Sequence, residues 1–502
     1  MKDYRLGLIA ISGASALLVT SARAANTVEF AAAGSSAMFN VFRQGALVAL
    51  GGSHGTNDYQ ANNAGFVADA SDPREVGNLW VVWSGPAGSR KIAFYLSVDS
   101  TVGDRAYFNS DTVQLVSPLP APAAGFAALP ADIQTTLSSP VTVNAGMTDI
   151  APSDALVATS RAMALGYGPG TSIVGLNSAG AFTSTATPVS FSLSSRGYNL
   201  VSVGAAPIIA FVNKTDTSSS GLGNASLTNI NRFTLSYVLN GSITSTADLF
   251  LTSASAASKP LTAFIREPLS GTYNTTEYCV PQSLEVQSSQ ESGVTTNPLN
   301  EAGYNGLGTF SGGTSNGGRV RAIGTGALVT NANATTNSLG YAFWSFGNFA
   351  GKTNLKYLSL DGADPLFDGY SVNTGNLQPG SVPTFRNLAN GGYGAWSILR
   401  IVEPNSVGSD YANIVSDATA ADSGGDFIAA NNLLVFRSHH STPAEPSPNN
   451  ALKGTYAGTF VDETSGGTAP EAGGDVGGAV FPIQADLDAF LNFGVQLVGL
   501  RQ

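Results

Sequence analysis

Leu261-Thr262-Ala263-Phe264-Ile265-Arg266-Glu267-Pro268-Leu269-Ser270-Gly271-Thr272 is the stretch on which the fold turns. Its first five residues form an apolar run of the length of one buried strand, and Tyr273 to Tyr278 reads as the opening of a helix. An arginine therefore stands at the carboxyl end of a strand, and a Ser-Gly-Thr turn opens the next helix. Open α/β sheets bind ligands at that place. A helix amino end presents free backbone N–H groups and the positive end of its dipole, and both attract anions. Arginine adds a planar fork that fits a carboxylate or a tetrahedral oxyanion. The ordinary alternative is a serine N-cap beside a surface arginine, so the rest of the chain has to decide.

Working outward, the same grammar recurs. Thr27 to Ala33 reads as a strand, Gly34-Ser35-Ser36-Ala37 as a turn and helix cap, and Met38 to Leu50 as a helix with Phe39, Phe42 and Leu47 near one face. Lys91 to Val98 reads as a strand ending in the turn Asp99-Ser100-Thr101-Val102-Gly103. Val141 to Ile150 reads as a short strand, and Pro152-Ser153-Asp154 caps a helix over Ala155 to Leu165; simple capping is the ordinary role of Ser153 and Asp154. Val201 to Val212 is almost continuously apolar, which suits a central strand buried on both faces. Thr228 to Asn240 is an amphipathic helix stopped at Asn240-Gly241, and Val320 to Asn333 also reads as a helix. Gly340 to Trp344, Leu355 to Leu360 and Ala395 to Val402 read as strands, and Ala485 to Leu497 as a closing helix. Segments 51–90, with a short apolar run at Leu79 to Trp83, 111–140, 280–318 and 438–480 read as loop-rich insertions. Alternating strands and helices imply α/β architecture, and several helix amino ends meeting at one point form a natural anion cage.

Composition narrows the classes. Met1 to Ala24 reads as a secretory signal: Lys2 and Arg5 start it, Leu6 to Val19 is mostly apolar, and Ala22-Arg23-Ala24 is an A-x-A cleavage site. No cysteine lies near that site, which argues against lipid attachment there, and no second long apolar run follows. The mature chain is therefore expected to be exported, periplasmic or secreted, with no integral membrane segment. Among 502 residues with 43% apolar content there is material for two domains, and the lone Cys279 has no disulfide partner, so it is expected as a small buried residue. A net charge of −11 argues against nucleic acid or anionic membrane as partner, because both need a basic face.

Signals for chemistry are weak. Gly51-Gly52-Ser53-His54-Gly55 matches a nucleophile-elbow pattern, but a helix-like run precedes it where a strand is needed. There are three histidines; His439-His440 lie in a Ser/Pro-rich segment without ligands at metal spacing. Asp361, Asp364 and Asp368 are near enough in sequence to share a calcium ion but follow no known loop pattern, and turn-forming aspartates are the ordinary reading. No Walker motif or dinucleotide fingerprint occurs. No catalytic residue, cofactor or metal site is assigned.

In ordered motifs the chain resembles the periplasmic phosphate-binding proteins of bacterial phosphate ABC transporters. Arg266-x-x-x-Ser270-Gly271-Thr272 is similar to that family's Arg-Ser-Asp-Gly-Ser-Gly-Thr anion loop, and Asp149-Ile150-Ala151-Pro152-Ser153-Asp154-Ala155 to its Asp-Phe-Gly-Ala-Ser-Asp-Ala stretch. Tyr95 to Gly103 resembles its strand ending in a Ser-Ser-Gly turn, Gly34 to Phe39 its opening Gly-Ala-Gly-Ala-Thr-Phe turn, and Gly340-Tyr341 and the strand from Ala395 follow in the family's order. The resemblance implies a two-domain α/β periplasmic binding protein fold, with residues 25–207 plus 396–502 as the first domain and 208–395 as the second, hinged near Val212-Asn213 and Ala395-Trp396. It implies inorganic phosphate or a similar oxyanion as ligand and an ABC permease as partner. The implied ligand shell is Ala37, Met38 and Phe39 through backbone N–H groups, Ser100 through its hydroxyl, Asp154 as acceptor from a protonated phosphate, and Arg266 with Ser270, Gly271 and Thr272 from the fourth turn. Three departures bear on the ligand. Met38 replaces a threonine, with Ser35 or Ser36 available to supply a hydroxyl; Pro268 replaces the acidic residue that steadies the arginine, with Glu267 as a substitute; and Thr101-Val102 interrupts the Ser-Ser-Gly turn. The alternative class is an exported surface or structural protein that keeps the fold with a modified anion site.

Overall fold

A computed structural model of the chain describes residues 25–67, 74–152, 155–156, 191–249, 259–266, 269–280, 290, 318–322, 324–420, 425–433, 435–437 and 480–482. Its strands are β1 (Thr27–Gly34), β2 (Asp58–Val67), β3 (Arg74–Ser84), β4 (Lys91–Ser97), β5 (Thr112–Leu115), β6 (Val141–Thr142), β7 (Ala145–Thr148), β8 (Asn199–Asn213), β9 (Asn229–Ile230), β10 (Thr262–Arg266), β11 (Gly318–Ala322), β12 (Ser338–Phe343), β13 (Leu355–Tyr357), β14 (Ser359–Leu360), β15 (Trp396–Glu403) and β16 (Ile428–Ala429), besides the separate pair Val435–Arg437 and Val480–Pro482. The longer helices among the described residues are α1 (Phe39–Ala49), α2 (Ser100–Phe108), α3 (Ala131–Leu137), α4 (Arg232–Leu239), α5 (Gly271–Cys279), α6 (Thr325–Ala334) and α7 (Ser409–Ala420).

One mixed sheet runs in the order β11-β10-β12-β8-β15-β7-β1-β4-β3-β2-β5-β6, with β13 and β16 also paired to β8. It has two lobes. β1 lies parallel to β4 and β7 in one, and β10 parallel to β11 and β12 in the other. The 15-residue β8 joins them: Asn199 to Pro207 pair with β15, and Ile208 to Val212 pair with β12. The exchange falls at Pro207, a residue with no N–H to give to a ladder. Its carbonyl accepts from Trp344 N at 2.9 Å, and the next amide, Ile208, donates to Ala395 O at 2.7 Å. The α/β class expected from the sequence is thus what the chain forms, as two strand–helix lobes around a shared sheet.

Period-two alternation explains why the strands are apolar throughout. Phe30 and Ala32 of β1, Trp80 and Val82 of β3, and Ala93 and Tyr95 of β4 enter one core. Their neighbours Ala31 and Ala33, Leu79, Val81 and Trp83, and Ile92, Phe94 and Leu96 enter the other. In the second lobe Ala263 and Ile265 of β10 face one core and Phe264 the opposite one. Cys279 is buried, as expected.

Several boundaries differ from the sequence expectation. Segment 51–90 is an integral part of the sheet: β2 and β3 form an antiparallel hairpin, and Asn78 to Ser84 of β3 pair with β4. Segment 111–140 contributes β5 and α3 and buries Val113, Leu115, Leu129, Ile133 and Leu137. The helix expected from Val320 starts at Thr325, because Val320 to Ala322 pair with Phe264 to Arg266 as β11. The expected strand Val141 to Ile150 is broken at Asn144, whose Oδ1 accepts from Ala31 N at 2.8 Å. Leu355 to Leu360 is divided into β13 and β14, and the helix expected from Thr228 begins at Arg232, capped by Asn231. Residues 99–103 are the first turn of α2 rather than a free turn. The expected signal segment, the helix Ala485 to Leu497, all but Ala155 and Leu156 of the helix Ala155 to Leu165, and most of 280–318 and 438–480 lie outside the described residues.

Gly34 closes β1 with φ +141°, and a Cβ there would stand 1.9 Å from Met147 O. Gly34→Ala is expected to cost about 2–3 kcal/mol through strain and overlap. Denaturant unfolding should show a lower midpoint at unchanged slope; a midpoint equal to that of the parent protein would contradict this account of the β1 terminus.

Candidate functional site

β1, β4, β7 and β10 bring the residues at their carboxyl ends to one place between the lobes. After β1, Ser35 N donates to Met147 O at 2.7 Å, which fixes the chain as it leaves the sheet. The Ser35 hydroxyl accepts from Ala37 N at 3.2 Å, opening a 3-10 turn ahead of α1, and donates to Asp149 Oδ2 at 3.0 Å. After β4, Ser100 opens α2 and donates to Asp149 Oδ1. Asp149 itself follows β7. From the other lobe, Ser270 caps α5, accepting from Tyr273 N at 3.3 Å, and Gly271 is the first helical residue. A Cβ on Gly271 would lie 1.5 Å from Asp149 Oδ1 and 2.7 Å from Ser100 Oγ, so only glycine lets α5 approach the carboxylate this closely.

Arg266, the last residue of β10, is buried at 2% exposure. Its Nη2 donates to Asp99 Oδ1 at 2.8 Å, and its Nη1 donates to Thr325 Oγ1 at the start of α6. Its backbone is held as well: Arg266 N donates to the Tyr341 hydroxyl at 3.0 Å, and Arg321 Nη1 donates to Arg266 O at 2.7 Å. Two further bonds cross between lobes, from Ser36 Oγ to Thr325 Oγ1 at 3.3 Å and from Thr101 Oγ1 to Leu269 O at 2.8 Å. The amino ends of α2, α5 and α6 and of the turn before α1 therefore meet around one arginine and two carboxylates.

Burial sets the electrostatics. It pushes the Asp149 carboxyl up to about 6, against the opposing pull of the Ser100 and Ser35 hydrogen bonds and the Arg266 charge. Burial also lifts Asp104 well above the usual carboxylate range; the Thr148 hydrogen bond opposes this, the Asp149 charge adds to it, and Arg400 opposes it. The Tyr95 phenol, which donates to Ser35 O, is raised first by burial and then by Asp149.

The expected site residues have distinct fates. Ser100, Arg266, Ser270, Gly271 and Thr272 gather here, all buried or at the start of α5. Ala37 is adjacent, with its N–H taken by Ser35. Met38 and Phe39 turn their side chains into the core, where the Phe39 ring meets Tyr95 edge-on at 5.5 Å and Phe39 O accepts from Trp80 Nε1 at 2.7 Å. Asp154, Glu267 and Pro268 lie outside the described residues. Asp99, Asp149, Thr325 and Tyr341 were not among the expected residues, although Asp99 and Asp149 stand inside the motifs that pointed here.

The other chemistry candidates do not assemble. Gly51 to Gly55 links α1 to β2, the reverse of a strand-to-helix elbow, and His54 Nδ1 instead meets Asp58 Oδ2 at 2.8 Å. Asp361 pairs with Arg232, Asp364 accepts from Leu366 N and Phe367 N at 2.8 Å, and Asp368 pairs with Arg386. Among the described residues no group of three metal-ligating side chains comes together, and no helix is long and apolar enough to cross a membrane.

No protein-family model and no curated protein matches the chain. Solved structures similar to it include the phosphate-binding protein of Stenotrophomonas maltophilia, at 14% identity over 81% of this chain and 90% of that one, with a TM-score of 0.38. A high-affinity periplasmic phosphate-binding protein, PfluDING, bound with phosphate, is similar at 14% identity over 80% and 90%, with a TM-score of 0.37. An ABC-type phosphate transport receptor of Vibrio cholerae is similar at 14% identity over 47% and 72%, with a TM-score of 0.26. Likeness this distant assigns the chain to no family.

The raised Asp149 carboxyl has a signed consequence. The folded state holds this proton more tightly than the unfolded state between about pH 4 and about 6. Stability therefore falls as pH rises through that window, by about 3 kcal/mol when complete. Asp149→Asn removes this contribution, so unfolding free energies of parent and variant measured from about pH 4 to about pH 7 should converge or cross as pH rises. Parallel pH profiles would show that Asp149 does not titrate as described.

Proposed function

We propose that the chain is an exported solute-binding protein that captures inorganic phosphate, or a closely similar oxyanion, between two α/β domains for uptake by an ABC permease. The domains are residues 25–207 plus 396–502 and residues 208–395, closing on each other by hinge motion. The observation that carries this reading is the convergence of Arg266, Ser100 and the first turn of α5 at one buried point between the lobes. Backbone N–H groups of that turn supply donors, Ser270 and Thr272 add hydroxyls, and Arg266 supplies the charge, whereas the Ala37 and Phe39 N–H groups are already bonded to Ser35 Oγ and Ser36 O. Asp154 is the acceptor that the family resemblance suggests; the position of Asp149 between Ser35 and Ser100 supports a share of that role for it. A carboxylate in a dry anion site rewards an oxyanion that brings a proton and repels one that does not, so phosphate is favoured over sulfate near neutral pH.

One observation favours a second reading. Arg266 already pairs with Asp99, and direct bonds span the lobes at Ser36 and Thr101. An exported structural protein that keeps the fold without binding an anion would have such contacts.

Calorimetric titration of the chain from residue 25 onward, at about pH 7, separates the two readings. Phosphate is expected to bind and sulfate not to, and Arg266→Gln is expected to weaken phosphate binding by about thirtyfold or more, the scale of removing a buried charged hydrogen-bond partner. Absence of phosphate binding in a folded sample freed of carried-over ligand leaves the structural reading. Equal affinity for sulfate refutes carboxylate discrimination.

A further inference from the structure

Asp99 holds the N-cap position of α2, where an aspartate ordinarily bonds the free amides of its own helix. Its backbone is extended as a cap requires, yet its side chain makes no capping bond. The carboxylate reaches instead to the other lobe, 2.8 Å from Arg266 Nη2, and the two side chains are only 5% and 2% exposed. The adjacent Ser100 hydroxyl and the Arg266 partner Thr325 lie at the same convergence of helix amino ends. A buried carboxylate that bypasses its own helix for a cation on the other lobe stands where an oxyanion would be held.

We propose that Asp99 is an affinity-determining residue of the cleft, the resident counter-anion of Arg266 that an incoming oxyanion has to replace. This rests on the oxyanion reading above. An oxyanion within reach of both Arg266 and Ser100 comes close to the Asp99 carboxylate, and like charges that close in a dry site repel strongly. Binding is then an exchange of anions on the guanidinium. The apparent affinity is the intrinsic one reduced by the fraction of molecules in which Asp99 has released Arg266. Asp99 thereby raises the threshold for capture, and the lobes are tied together by the same bond when no competing anion is at hand.

The test is phosphate titration of the parent chain, Asp99→Asn, and Asp99→Asn combined with Arg266→Gln, each checked for folding by circular dichroism and melting. Asn keeps the shape and an acceptor oxygen for Arg266 while removing the charge. Asp99→Asn is expected to bind phosphate about tenfold or more tightly than the parent, and the added Arg266→Gln to abolish that gain. Binding by Asp99→Asn with none by the parent supports the proposal in its strongest form. Equal or weaker binding by Asp99→Asn, with the parent binding phosphate, overturns the proposal and leaves the oxyanion reading intact. A gain that survives Arg266→Gln also overturns it, because the effect then does not run through the guanidinium. No binding by any folded variant overturns both. Should Asp99→Asn fail to fold, Asp99→Ser carries the same comparison.

Discussion

The Asp149 carboxylate is the constraint around which the two lobes are arranged. It is buried at the end of β7, and an ionised group there is tolerated only when its oxygens are satisfied. Ser35 from the end of β1 and Ser100 from the end of β4 take one oxygen each. These bonds fix where two helices of the first lobe begin. The Asp149 backbone carbonyl accepts from Ser397 Oγ at 2.7 Å, which ties the same residue to β15 near its crossing into the lobe. The second lobe then meets this carboxylate through Gly271, whose lack of a side chain sets the approach of α5. Sheet order brings the strand ends together, and the polar contacts set their distances.

The sheet makes such a site possible because it is buried on both faces. β8 carries the burden: residues Val203 to Asn213 are all buried, and the strand changes partner from β15 to β12 without leaving the sheet. A continuous apolar strand shared by both lobes aligns the two sets of parallel strands so that β1, β4, β7 and β10 end toward the same buried point. Pro207 sits where the change of partner removes the need for a ladder donor, so its missing N–H costs little at that point.

The sequence made legible whatever is local. β1, β4, β8, β10 and β15 show as apolar runs bounded by turn residues, and the serine-bearing ends of β1 and β10 mark helix starts by their own capping chemistry. The hairpin of β2 and β3 was not legible. Its strands carry Gln60, Asn62 and Asn63, and a register shift between Ala61 and Ala64 breaks the alternation. Helix α7 was missed because its buried stripe is only Tyr411, Ile414 and Ala418 on an otherwise polar helix, and its place is set by packing against α1, where Gly45 lets Ala418 approach. Within the site, Arg266 and Ser100 could be found from local pattern. The Asp99–Arg266 pair could not, since the partners are 167 residues apart and Asp99 looks like an ordinary cap. Asp149 carries no local signal of its own, and only the fold places its carboxylate between Ser35 and Ser100.

The proposed anion site has to work inside an acidic chain. A net charge of −11 gives no attraction at long range, so any affinity must come from groups within a few Å. Around Arg266 these are its own guanidinium, that of Arg321 on its carbonyl, several helix amino ends and two carboxylates, and a proton on Asp149 removes one of the two negative charges. Burial acts on both sides of this balance. It strengthens the pull of Arg266 on an anion and the repulsion from Asp99 alike, because neither is screened by water. The site is thus tuned less by how much positive charge it holds than by where the two carboxylates direct their oxygens: Asp149 toward the serines of its own lobe, and Asp99 across the cleft to the arginine.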